Sequence, residues 1–279
     1  RDRYSMREGM SGADWVIHAA AELDLQASDE GMAAANVEGS ENVASLASKL
    51  GVGRFLSISS MAAWGGSPTD GSPAHEESPP QLPLPTRYCA TKAAGEERVQ
   101  HWAQQGLKVN TVYPSLVYGP PGKKQGANTL LRALMLGRFP ALIGPEKKTS
   151  WVFLDDLVDG IVRVMDQAPP GRGYLLAGEA WTVRELAQRV AHFAGAKPPK
   201  REFSVGTARL LFRVAGPLLK LAGRPLPIPL EQLASLDRHW NFADTRARTE
   251  LGWQPRGLDE GLAITLDYLR QQEAAKSPS

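Results

Sequence analysis

Tyr88 and Lys92 stand four residues apart in the stretch Tyr88-Cys89-Ala90-Thr91-Lys92. On a helix that spacing puts two side chains on one face, one turn from each other. A free phenol titrates near ~10 and exchanges protons poorly at neutral pH. A neighbouring ammonium favours the phenolate and lowers that value. The same ammonium can hold the ribose hydroxyls of a dinucleotide. A third group must hold the reacting oxygen, and Ser60 precedes Tyr88 by 28 residues. It closes the run Arg54-Phe55-Leu56-Ser57-Ile58-Ser59-Ser60, which reads as a strand. In open α/β sheets, ligands bind at the carboxyl ends of the strands. Tyr-x-x-x-Lys alone is a common accident of helix surfaces. The serine at a strand end, within an alternating pattern, makes it a candidate acid–base set.

That pattern is regular through the first half of the chain. Residues 14–21 form a short apolar run ending in small residues, read as a buried strand and a tight loop. Residues 29–50 are Ala-rich and stop at Gly51, which predicts a helix. After the strand at 54–60 comes a Pro/Gly/Ser-rich loop at 65–85, then a helix over 86–105 and a strand over 107–113. Further on, helices are expected at 128–136, 155–165 and 183–194, with strands at 151–154 and 174–177. Beyond Pro198 the pattern becomes helices broken by Pro, at 207–222 and from Leu258, around the run Pro225/Pro227/Pro229. This rhythm predicts an α/β chain with a Rossmann-type doubly wound parallel sheet and a smaller, mostly helical C-terminal lobe. Residues 1–165 are assigned to the dinucleotide domain, with elements near 173–195 interleaved, and 166–279 mainly to the substrate lobe.

Composition excludes several classes. The 279 residues carry 32 basic and 30 acidic side chains, with no Lys/Arg-rich block, so nucleic-acid binding has no support. Cys89 is the one cysteine and cannot form an internal disulfide, which fits the cytoplasm. No secretory leader and no membrane span are expected, because no long apolar stretch occurs. His18, His75, His101, His192 and His239 are scattered without metal-ligand spacing, so no metal site is expected.

Several stretches, kept in order, resemble the extended short-chain dehydrogenase/reductase family. They are Val16-Ile17-His18-Ala19-Ala20, Asn36-Val37-Glu38-Gly39-Ser40-Glu41-Asn42-Val43, Ser59-Ser60 with Trp64-Gly65, and Tyr88 to Lys92. Pro114-Ser115-Leu116-Val117-Tyr118-Gly119-Pro120, Phe153-Leu154-Asp155-Asp156-Leu157 and Leu251-Gly252-Trp253-Gln254-Pro255 continue the match. Trp64 stands where Tyr is usual, and Tyr113 where Arg is common. The resemblance implies NAD or NADP as cofactor. It implies Tyr88 as general acid/base, Lys92 as the group that lowers its pKa and binds ribose, and Ser60 as the hydrogen-bond partner of the reacting oxygen. It implies cofactor contacts from Ala19, Ala20, Ala21, Asn36, Ile58, Ser59, Tyr88, Lys92, Pro114, Ser115 and Val117. It also implies a homodimer through helices at 36–50 and 86–105. Ala33, Ala34, Ala35, Ala44, Ala47, Ala90, Ala93 and Ala94 would keep those helices slim, or would simply pack on the sheet.

No Gly-x-x-Gly-x-x-Gly occurs in the sequence. Residues 2–14 resemble the family's stretch between its third and fourth strands. The first strands are therefore expected to be absent, on the order of 50–60 residues for two βα units. A fragment of this kind is expected to bind cofactor poorly and to be inactive by itself.

Within the family, dehydratases carry Thr-Asp-Glu beside the serine; this chain has Met61-Ala62-Ala63, which argues against dehydration. Thr149 occupies the place where sugar-nucleotide epimerases put a diphosphate-gripping Arg. The apolar, Pro-rich C-terminal part resembles the dihydroflavonol-reductase and 3β-hydroxysteroid-dehydrogenase branch. The favoured reading is an oxidoreductase interconverting a ketone and a secondary alcohol on a fairly apolar small molecule. A sugar-nucleotide epimerase-like enzyme is the runner-up, and a cofactor-dead scaffold stays open. Glu76-Glu77, Lys123-Lys124 and Lys147-Lys148 read as solvated surface. The segment Leu210-Leu211-Phe212 to Leu221, broken at Gly216-Pro217, reads as a lid over the substrate cleft, with membrane-surface association as its alternative.

Overall fold

A computed structural model of the chain describes residues 3–24, 27–122, 126–221 and 230–275. In chain order these form α1 (Arg3–Met10), β1 (Trp15–His18), α2 (Asp29–Ala33), a π-helical turn (Ala34–Glu38), α3 (Gly39–Lys49) and β2 (Arg54–Ile58). A 3-10 turn (Met61–Trp64), α4 (Arg87–Gln104), β3 (Val109–Pro114), β4 (Leu116–Tyr118), α5 (Ala127–Met135), β5 (Leu142–Ile143) and β6 (Lys148–Phe153) follow. The rest is α6 (Leu154–Gln167), β7 (Gly173–Leu176), β8 (Glu179–Thr182), α7 (Val183–Ala194), β9 (Glu202–Phe203), α8 (Val205–Leu221), α9 (Leu230–Leu236), α10 (Thr245–Leu251) and α11 (Leu258–Ala274).

Strands β1, β2, β3 and β7 lie side by side in that order, all parallel. Their carboxyl ends therefore share one edge. The Rossmann-like parallel sheet expected from the alternation is present. β3 is buried along its whole length, as a strand flanked on both sides and covered on both faces must be. One face packs Val16, Phe55 and Val109 against Ala44 and Ala47 of α3 and Val99 of α4. The other packs Leu56, Val112 and Tyr174 against Leu157 and Val164 of α6 and Trp253.

A second sheet joins β4, β6 and β8, with β6 and β8 antiparallel, and a small parallel pair joins β5 and β9. Around them α5, α7 and α11 close a separate apolar cluster. α7 begins with a capping box, Thr182 Oγ1 taking the Glu185 N–H while Glu185 reaches back to Thr182.

The structure corrects several expectations. Ile17 in β1 is 48% exposed, so that strand is not buried on both faces. The helix expected over 29–50 contains the π-helical turn. α8 does not stop at Gly216-Pro217 but continues to Leu221. Glu76 is not solvated: its side chain is 6% exposed and accepts the Leu175 N–H of β7 at 3.0 Å, while Glu77 at 63% pairs with Arg246. Lys147 and Lys148 are half-buried, Lys148 opening β6; Lys123-Lys124 and Pro225/Pro227/Pro229 lie outside the described residues. Ala44 and Ala47 are buried in their own fold, whereas Ala90 is exposed.

Candidate active site

The site is built where β2 ends and α4 begins. Thr86 caps α4, its hydroxyl accepting the Cys89 N–H at 3.2 Å, which sets Tyr88 in the first turn and Lys92 one turn later. Ser60 caps the 3-10 turn in the same manner, accepting the Ala62 N–H at 3.1 Å. The Tyr88 hydroxyl faces Ser60, which acts to lower its pKa. Lys92 Nζ reaches back across the sheet edge and donates to the Ile58 carbonyl at 2.9 Å. Ser60, Tyr88 and Lys92 thus converge on the carboxyl end of β2, all three half-buried.

Electrostatics at this point differ in sign from the simple expectation. Burial pushes the Tyr88 phenol above its ordinary value, with Ser60 pulling the other way. Burial also lowers Lys92, opposed by the carboxylate of Glu96. Lys92 donates to Ile58 and lies in the field of Glu96.

Glu96 lies one further turn along α4, so Tyr88, Lys92 and Glu96 follow one another at four-residue intervals. Its Oε2 accepts from Ser59 Oγ at 2.8 Å and its Oε1 from the Tyr113 hydroxyl at 2.6 Å. Burial raises the pKa of this carboxyl group, against those two hydrogen bonds and Lys92. Tyr113 in turn stacks edge-on against Trp64, with ring centroids 4.6 Å apart. Glu96 belongs to no motif in the sequence; its four-residue spacing from Lys92 is the one signal that points to it.

Of the expected cofactor contacts, some line the open edge and some brace it. Ala19 and Ala20 are exposed just past β1, with Ala21 half-buried. Ile58 and Val117 are half-buried. Asn36 is buried, and its polar atoms are committed. Its Oδ1 accepts the Glu22 N–H at 2.7 Å, and its Nδ2 donates to the Glu22 carbonyl and to Thr91 Oγ1, both at 3.0 Å. It ties the loop after β1 to the helix turn between Tyr88 and Lys92. Ser59 is held by Glu96. Pro114 and Ser115 are buried, Ser115 Oγ donating to the Ala177 carbonyl at 2.6 Å. These residues position the edge.

His18 ends β1 with Nε2 3.0 Å from Ser40 Oγ, and burial together with the Lys92 charge lowers its pKa to about 4. The unfolded chain, titrating near 6.5, binds the proton that the folded chain refuses down to about 4. Stability should therefore fall as pH drops from about 6.5 to about 4, a contribution of about 3 kcal/mol from this group. Urea unfolding of the wild type and His18→Gln across that window checks it. The two curves should converge on acidification, and a pH-independent gap would contradict the assignment.

Beside this edge lies an apolar cavity of about 560 Å³, walled by Leu116, Leu134, Trp151, Trp181, Leu186 and Phe212 among others. Leu116 packs both in the Tyr88 cluster and in the cluster that walls the cavity, so the two clusters touch there; Ser60, Tyr88 and Lys92 do not themselves line the cavity. Thr149 lines the cavity, and its charged lining residues are Arg138 and Arg201, both exposed.

The sequence matches the description "NAD dependent epimerase/dehydratase family" over residues 1–177. The chain belongs to the NAD-dependent epimerase/dehydratase family, whose members use NAD or NADP. It is 30% identical to a UDP-glucose 4-epimerase of Mycolicibacterium smegmatis over 268 residues, 92% of this chain and 76% of that protein. It is 27% identical to a 2-alkyl-3-oxoalkanoate reductase of Stenotrophomonas maltophilia, covering 94% of this chain and 82% of the relative. The crystal structure of gox2253 superposes with a TM-score of 0.83 at 27% identity, covering 97% of this chain and 82% of that one.

Proposed function

We propose that this chain reduces a ketone on a fairly apolar small molecule, or runs the reverse oxidation, with NAD or NADP and the set Ser60, Tyr88 and Lys92. The observation that carries this reading is the apolar cavity, which Thr149 lines and which Leu116 links to the Tyr88 cluster. The donor set suits a nicotinamide dinucleotide: an ammonium and two hydroxyls at the carboxyl edge of a parallel sheet, beside three small alanines. Lys92 would hold the ribose, Ala19, Ala20 and Ala21 would flank the adenosine side, and Ile58 and Val117 the nicotinamide side. When bound, the dinucleotide supplies or accepts the hydride. Ser60 holds the substrate oxygen by hydrogen bonding. Tyr88 moves the proton to or from that oxygen. Its raised pKa keeps the phenol protonated at neutral pH, the form that serves as a general acid in reduction. The residues of the second sheet and its helices form the substrate lobe.

The cavity gives the test. Along a series of ketones of growing chain length, kcat/KM should rise about fourfold per methylene until the cavity fills. A flat series would overturn the apolar-substrate reading. A sugar-nucleotide epimerase is the second reading, favoured by the Mycolicibacterium relative and by Arg138 and Arg201 at the cavity.

The polypeptide of these 279 residues contains no Gly-x-x-Gly-x-x-Gly to cradle a pyrophosphate. Taken by itself it is expected to bind NAD and NADP more weakly than micromolar and to turn over little. Isothermal titration measures this directly, and micromolar binding of either dinucleotide would contradict it.

A further inference from the structure

Helix α8 divides its residues between two environments. Ala208 is buried with Val205 and Leu233, and Phe212 walls the cavity. On the other side Leu210 and Val214 are 63% and 66% exposed, although α8 is one of the more apolar helices of the chain, while Leu211 lines the cavity with Phe212. Positions 210 and 214 lie one turn apart on one face of the helix. Single exposed apolar residues need no explanation, but a contiguous stripe does.

The sequence that carries this face is mostly basic. Over residues 195–221 the sequence holds six cations, Lys197, Lys200, Arg201, Arg209, Arg213 and Lys220, against one acid, Glu202. The whole chain has a net charge of only +2, so this segment is far more basic than the rest. Glu202 is neutralised by Arg184, at 2.6 Å. Arg209 meets Asp237 only at 3.9 Å, and Arg213 is exposed within the same turn as the apolar stripe. No helix among the described residues is long and apolar enough to cross a membrane.

An apolar stripe flanked by cations is the pattern of a helix that lies in the interface of an anionic bilayer. We propose that α8 docks this protein onto an anionic membrane surface, with Leu210 and Val214 entering the headgroup boundary and Lys197, Lys200, Arg201 and Arg213 meeting the lipid phosphates. The same helix forms one wall of the apolar cavity, so docking would bring that cavity beside the lipid phase. The proposal stands on the helix surface and does not require the ketone reading.

Flotation separates bound protein from aggregate, because aggregate sinks. The chain should float with vesicles of phosphatidylcholine and phosphatidylglycerol, and much less with phosphatidylcholine alone or at high salt. Leu210→Glu/Val214→Glu, at positions outside the cavity lining, should lower the partition coefficient by on the order of 100-fold. Lys197→Glu/Lys200→Glu should lower it by at least about tenfold. Unchanged circular dichroism would show that the variants are folded. Absence of flotation with the anionic vesicles would overturn the proposal. So would full binding by Leu210→Glu/Val214→Glu, or a concentration-dependent dimer that this variant abolishes while vesicles are ignored.

Discussion

Tyr88→Phe is expected to lower kcat by about 10²–10⁴-fold in the natural protein, with cofactor affinity largely kept. The substitution removes one hydroxyl, which is the atom placed against Ser60 at the end of β2. The ring stays packed against its neighbours in the cluster of Met61, Trp64 and Tyr113. Lys92→Ala should behave differently, losing rate and cofactor affinity together. It also frees the Ile58 carbonyl and leaves Glu96 without its neighbouring cation. Parallel kcat and cofactor-titration measurements separate the two patterns. Turnover close to wild type in Tyr88→Phe would refute the assignment of the phenol.

Gly95→Ala should destabilise the fold by about 2–3 kcal/mol, although the added group is one methyl. A Cβ at position 95 would sit 2.2 Å from the carbonyl oxygen of Asn36, a backbone atom that cannot swing aside. α4 and the π-helical turn approach closely there, and Asn36 uses the closeness to reach Thr91. Separating them would loosen the helix face that carries Tyr88 and Lys92. Thermal unfolding checks this. An unchanged Tm would show that the contact yields without cost.

The sequence made the sheet legible because its strands and helices are long enough to show periodicity, and parallel strands buried on both faces read as apolar runs. Tyr88, Lys92 and Ser60 were legible because helical spacing and a strand end constrain where side chains can meet. Other features were hidden for physical reasons. β4, β5 and β9 span two or three residues each, too few for a pattern. Glu76 reads as solvated surface and Glu96 carries no motif, because a carboxylate's burial depends on partners far along the chain, Tyr113 for Glu96 and the Leu175 amide for Glu76. Asn36 read as a cofactor ligand, yet its amide is consumed by Glu22 and Thr91. Gly216-Pro217 read as a break. α8 continues through it, packed against α9, and tertiary packing overrides local preference.

The central claim is that Ser60, Tyr88 and Lys92 serve a net redox reaction on an apolar ketone. Reduced nicotinamide consumption, followed with a long-chain alkyl ketone and with UDP-glucose in parallel, tests it most directly. Stoichiometric consumption with the ketone, abolished in Tyr88→Phe, is expected, and none with the nucleotide sugar. Conversion of UDP-glucose to its 4-epimer without net cofactor consumption, and no reaction with the ketone, would contradict it.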